Sequence, residues 1–183
     1  MYRIRPARLA GLLLSTALAA GGLTGCSYLS PFTSCEGTGS RAEGLESLAI
    51  LDSRPAKATV PRGLEEVASG CVDDSGDAWL SAYRTYAFPG SRTEVLRYYR
   101  TAAEHDGWHW EQDPWQPHVP EETAGLCFTK GEDGEAMMLT VSFMTARDLE
   151  FEGYGPGPEF ASGSAFRIEA GSEADGARTG CWD

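Results

Sequence analysis

The sequence predicts an α+β domain: a mostly antiparallel sheet with one main helix packed on one face, in a single domain behind an apolar leader. Three observations predict it. The segment from Ser91 to about Asp106 carries a complete helix signature, start, face and stop. Several other segments alternate apolar and polar residues at the two-residue period of a strand. Their order, strand, helix, strand, hairpin, is that of a helix laid on an antiparallel sheet.

The helix is specified locally. Ser91 and Glu94 stand at capping-box spacing, where each side chain satisfies a backbone donor at the helix start. Val95, Tyr98, Tyr99, Ala102 and Ala103 then recur on one stripe. Gly107 follows where a left-handed cap is wanted, and Trp108 where the apolar contact of that cap falls.

The strands are read from composition and period. Ala78 to Phe88 is rich in aromatics and ends at Pro89-Gly90, a turn signal. Leu126–Lys130 and Ala136–Met144 flank Gly131-Glu132-Asp133-Gly134 and predict a hairpin. In its second arm Met137, Leu139, Val141 and Phe143 share one face. Phe166, Ile168 and Ala170 alternate with Arg167 and Glu169 in a last strand. The long segment before it, containing Gly153-Tyr154-Gly155-Pro156-Gly157-Pro158, is expected as a loop that is either functional or mobile.

The leader supplies an address. Arg3, Arg5 and Arg8 precede an apolar run from Leu9 to Leu23, a Sec-type layout without the Arg-Arg pair of the twin-arginine route. That run is short of the roughly 20 residues a spanning helix needs. It closes on Leu23-Thr24-Gly25-Cys26, which resembles the lipobox of bacterial lipoproteins. The resemblance implies that the Cys26 thiol receives a diacylglyceryl group and that the chain is cut before it. Two or three acyl chains, at about 0.8 kcal/mol per buried methylene, hold a protein to a membrane almost permanently. The organisation expected is therefore a signal over residues 1–25, a lipidated tether over 26–45 rich in Ser, Gly, Thr and Pro, and one disulfide-braced domain over 46–183.

With Cys26 acylated, Cys35, Cys71, Cys127 and Cys181 remain, an even set for an oxidising compartment. No two are close enough for a Cys-x-x-Cys redox or zinc motif. Three pairings are open. The favoured one is Cys71–Cys127 within the domain and Cys35–Cys181 joining its ends.

Removing the signal takes three arginines with it, so the outward part is more acidic than the -12 of the whole chain. That charge argues against nucleic acid and anionic headgroups as partners, and a solvated acidic exterior is its plainest meaning. Lys57 and Lys130 are the only lysines among 15 basic residues, the usage of a high-GC genome. The run Thr93-Glu94-Val95-Leu96-Arg97-Tyr98-Tyr99, closing on Gly107-Trp108, resembles a segment of small secreted actinobacterial lipoproteins of unknown function. This second resemblance implies a fold and no activity.

Signs of chemistry are sparse. His105 and His109 are four apart, but Gly107 between them ends the helix that would align them, even with Glu111, Asp113 and His118 nearby. Asp73-Asp74-Ser75-Gly76-Asp77 lacks the glycine and distant glutamate of a calcium loop and reads as a turn. Neither a Gly-x-Ser-x-Gly elbow nor a His-Glu-x-x-His pair occurs. Trp108, Trp110 and Trp115 would stack on sugar rings if exposed, whereas burial against the core is the commoner fate of tryptophan.

No catalytic residue, metal site or cofactor is expected. The expectation is a non-enzymatic binding or interaction module at the extracytoplasmic face of the cell membrane. It is anchored through Cys26 and uses a sheet face or the long loop to hold a protein, a cell-wall glycan or a small ligand. Two other classes stay open: an acidic inhibitor or accessory subunit for a cationic cell-wall hydrolase, and a cell-wall hydrolase itself.

Overall fold

The computed structural model describes residues 33–74, 77–112, 125–132, 134–160, 163–177 and 179–181. The expected signal, Cys26, Asp113, Trp115 and His118 lie outside the described residues. The helices are α1 (Gly39–Glu46), α2 (Ala49–Asp52), α3 (Arg92–His105) and α4 (Ala146–Phe151). The strands are β1 (Ala68–Asp74), β2 (Asp77–Phe88), β3 (His109–Glu111), β4 (Leu126–Lys130), β5 (Met137–Met144) and β6 (Ser164–Glu173). They form one sheet in the order β1-β2-β6-β5-β4-β3, every neighbouring pair antiparallel. The fold is thus α+β on an antiparallel sheet, with β6, late in the chain, at its centre.

Alternation decides what faces the helices. Leu80, Ala82, Tyr86 and Phe88 on β2 point one way, with Phe166, Ile168 and Ala170 on β6, Leu139 and Val141 on β5, and Leu126 and Phe128 on β4. These residues form one core with Leu45 of α1, Ile50 and Leu51 of α2, and Val95, Leu96, Tyr99 and Ala103 of α3. The helix layer is therefore shared by three helices, where one main helix was expected. Together they span the sheet: α1 lies against β1 and β2, α2 against β2 and β6, and α3 against β3, β4 and β5.

The ends of α3 follow the sequence signature. The Ser91 hydroxyl accepts from the Glu94 N–H and the Glu94 carboxylate from the Ser91 N–H. At the other end the Trp108 N–H reaches the Ala103 carbonyl at 2.9 Å and the Gly107 N–H the Glu104 carbonyl at 3.1 Å. Gly107 has φ +82°, the left-handed conformation this cap needs. Trp108 is buried beneath it, and its indole N–H donates to the Asp106 carboxylate at 3.0 Å.

Three tyrosine hydroxyls hold the short α2 segment. Tyr86 donates to the Leu51 carbonyl at 2.6 Å and Tyr99 to the Ser53 carbonyl at 2.7 Å. Tyr98 shares a 2.7 Å hydrogen bond with the Ser53 hydroxyl. A four-residue helix is too short to hold itself, so these bonds and the burial of Ile50 and Leu51 fix it.

Several expectations are corrected. The disulfides are Cys35–Cys71 and Cys127–Cys181, neither of them a favoured pair. The reason is register: Cys71 points to the helix side opposite Leu80, whereas Cys127 lies opposite Thr140 on the other side. Strands β2, β6 and β5 also stand between them. Residues 35–45, expected as part of a tether, belong to the folded domain. Cys35 is bonded to β1, Leu45 is buried, and Arg41 donates to Ser172 Oγ at 3.2 Å and to the Gly134 carbonyl at 2.6 Å. The segment before β6 is not a bare loop. It holds α4, capped by Thr145 and Asp148, and a 3-10 turn at Pro158–Phe160.

Candidate functional site

The second face of the sheet carries the chemistry. On β2 it presents Trp79, Ser81 and Tyr83; on β6 Arg167, Glu169, Gly171 and Glu173; on β5 Met138 and Thr140. Register sets Trp79 opposite Glu173, Ser81 opposite Gly171 and Tyr83 opposite Glu169. On the far side of β6, Thr140 stands opposite Glu169 and Met138 opposite Gly171. Val72 of β1 lies beside Trp79 and is 62 % exposed.

Trp79 does not stand off the sheet as a strand side chain ordinarily does. Its indole lies across Gly171, where an added Cβ would meet Cε2 at 2.7 Å and Nε1 at 2.9 Å. Glycine at 171 is what lets the ring lie there.

Arg167 is held from three sides. Its Cζ sits 4.0 Å from the centre of the Tyr83 ring, its Nε donates to Thr85 Oγ1 at 3.4 Å, and its Nη2 is paired with Glu152. A guanidinium so placed is a pre-organised donor. Glu169, half-buried beside it, has its carboxyl pushed above the usual glutamate value, first by burial and then by the charge of Glu152. The Arg167 charge and a Ser81 hydrogen bond oppose this. Glu173 is raised too, by burial and by Asp175 and Asp77. This face is therefore rich in carboxylate, with its guanidinium already paired.

Next to Tyr83 opens a cavity of about 410 Å³, lined also by Val67, Thr85 and Tyr154. Tyr154 comes from the Gly/Pro segment, which α4 brings to this side of the sheet. A larger groove of about 770 Å³ runs on the helix side between α2 and α3, along Ile50, Pro55, Phe88, Tyr98 and Ala102. Most of its polar groups already serve the fold. Tyr98 binds Ser53, Glu94 caps α3, and Asp106 accepts from Trp108 and pairs with Lys130 at 3.6 Å. We therefore place the candidate site on the outer sheet face despite the smaller cavity there.

The residues singled out in the sequence fall elsewhere. Trp108 is buried in the core. Trp110 faces the helix side opposite Phe128 but is 38 % exposed, with the Arg100 guanidinium 4.5 Å from its ring centre. His105 ends α3 and His109 begins β3, with the Gly107 cap between them. Among the described residues no three His, Cys, Asp or Glu side chains converge as a metal site would require. Asp73 and Asp74 end β1 and Asp77 begins β2, so that acidic run joins two strands. The useful signal for the outer face was parity: residues 79, 81 and 83 share the side opposite Leu80 and Ala82.

Compared with protein-family models, curated proteins and solved structures, the chain matches none significantly.

Proposed function

We propose that the protein is a non-enzymatic binding module, held by lipid on Cys26 at the extracytoplasmic face of a membrane, with the outer sheet face as its recognition surface. The observation that carries the reading is the fixed Arg167 and the half-buried Glu169, flanked by Trp79 at one end and the Tyr83–Tyr154 cavity at the other. Pre-organised polar groups beside aromatic surface are what a binding site needs to orient a ligand at little entropic cost. The two disulfides support the compartment, since such bonds persist outside the reducing cytosol. Only residues 27–34 separate Cys26 from the pinned Cys35, a reach of roughly 30 Å when extended. The module is thus held close to the membrane.

A photo-crosslinking amino acid at Val72, on the outer face, and another at Thr101, on the α2–α3 groove, test the surface in cells. Envelope adducts from position 72 and none from 101 are expected; the reverse pattern refutes the assignment. The anchor is tested by mass analysis of the mature N-terminus. Wild type carries a diacylglyceryl mass on Cys26, and Cys26→Ala leaves the membrane fraction or stays uncut.

A second reading is favoured by one observation. Asp77, Glu173 and Asp175 crowd one corner beside Trp79, where burial first, and then the charges of Asp175 and Asp77, raise the Glu173 carboxyl. An acidic accessory subunit for a cationic hydrolase would dock there, and its binding would weaken steeply with salt.

A further inference from the structure

We propose that the outer face is a saccharide site for a short oligosaccharide that is neutral or carries amino groups, an inference that rests on that face being the recognition surface. The shape of the aromatic surface comes first. Because Trp79 lies across Gly171, it presents a broad ring face where an upright indole would present an edge. A ring face carries the negative lobe of the π quadrupole, and the C–H-bearing face of a pyranose is its flat, weakly positive complement.

Along the face from that ring to Tyr83, donors and acceptors are mixed as sugar hydroxyls require. The Glu169 carboxylate accepts, the Arg167 guanidinium donates, the Thr140 hydroxyl does either, and the Ser81 hydroxyl, which donates to Glu169, can accept. Ser81 and Thr140 flank β6 at neighbouring register positions. An apolar peptide would leave these groups unmatched, at the cost of any desolvated polar group without a partner.

Charge narrows the class. Glu152, Glu169 and Glu173 on the face, with Glu65 and Glu66 at the cavity, outnumber two guanidiniums, Arg167 paired with Glu152 and Arg84 paired with Asp52. A uronate, sulfate or phosphodiester would meet net repulsion, whereas a hydroxyl or an ammonium would not. Length follows from the strand. Trp79 and Tyr83 are four residues apart on β2, roughly 13 Å at strand rise. The cavity at Tyr83 and Tyr154 gives a terminal ring a place beyond the Trp79 platform.

The test is calorimetric titration of the full lipidated chain in detergent. The probes are chitotetraose, its de-N-acetylated form, chitobiose, a hyaluronan tetrasaccharide and a Lys/Arg-rich peptide. Binding of the first two is expected, with the acidic tetrasaccharide at least about tenfold weaker. Trp79→Ala should weaken chitotetraose by about tenfold or more, as loss of a central aromatic anchor does. Tyr154→Ala should erase the preference for chitotetraose over chitobiose. Equal binding of acidic and neutral sugars, or unchanged affinity in both variants, overturns the proposal. Peptide binding that is lost in Trp79→Ala, with no saccharide heat, overturns the sugar class and leaves the face as the recognition surface. If neither probe class depends on Trp79, both readings fall.

Discussion

Glu169 sits at the centre of the sheet, where burial and the Glu152 charge hold its carboxyl above the ordinary 4.5. A carboxyl raised in the folded state favours folding when neutral. That contribution is full below the ordinary value and is lost as pH rises through the raised one. Glu169→Gln, neutral throughout, escapes the loss. Its melting temperature should exceed wild type by a few degrees at pH 7, and the gap should close as pH falls toward 4.5, read by circular dichroism across a pH series. Tyr99 is raised further, by burial above all, so it is a neutral donor throughout the working range. Tyr99→Phe removes the bond to the Ser53 carbonyl and should cost roughly 1–2 kcal/mol in denaturant unfolding. Neither role was legible from sequence, because each depends on what lies across the core from the residue.

Elements whose signals are local were legible and the others were not. Helix α3 was readable to its caps because Ser91, Glu94, Gly107 and Trp108 act within a few residues of one another. The same logic gives a prediction. Gly107→Ala places a side chain at φ +82° and should cost about 1 kcal/mol, while Ser91→Ala should cost a similar amount through the lost cap. Both are measurable by chemical denaturation. Helix α4 carried the same kind of signal, Thr145 with Asp148 three residues on, hidden among the glycines and prolines that follow. Strand β1, Ala-Ser-Gly-Cys-Val-Asp-Asp, has few strand-forming residues. It is a strand because β2 offers it a partner and Cys35 holds its middle. Strand β6 was visible from Phe166, Ile168 and Ala170, but its central place arises from pairing with β2 and β5, far off in sequence.

At the scale of the whole molecule, the disulfides pin the first and last described segments separately. Cys35–Cys71 spans 36 residues and Cys127–Cys181 spans 54. Chain entropy alone would give each roughly 4 kcal/mol. Non-reducing peptide mapping should recover these two crosslinks and no Cys71–Cys127 peptide. Cys35→Ala with Cys71→Ala should lower the melting temperature by roughly 10 °C. The four cysteines were identifiable as bridge-formers from their even count in a chain expected outside the cytosol, while their partners were set by a strand order that no local pattern encodes. The candidate site was half legible in the same way. The alternation in β2 and β6 separates the two faces, but that the outer one gathers Trp79, Tyr83, Arg167 and Glu169 depends on β6 lying beside β2. The most direct test of that face is hydrogen–deuterium exchange of the full-length protein with and without saturating chitotetraose. Protection confined to residues 79–83 and 167–171, with Tyr154, is the result expected. Protection centred on the α2–α3 groove at Ser53, Tyr98 and Ala102 would contradict it.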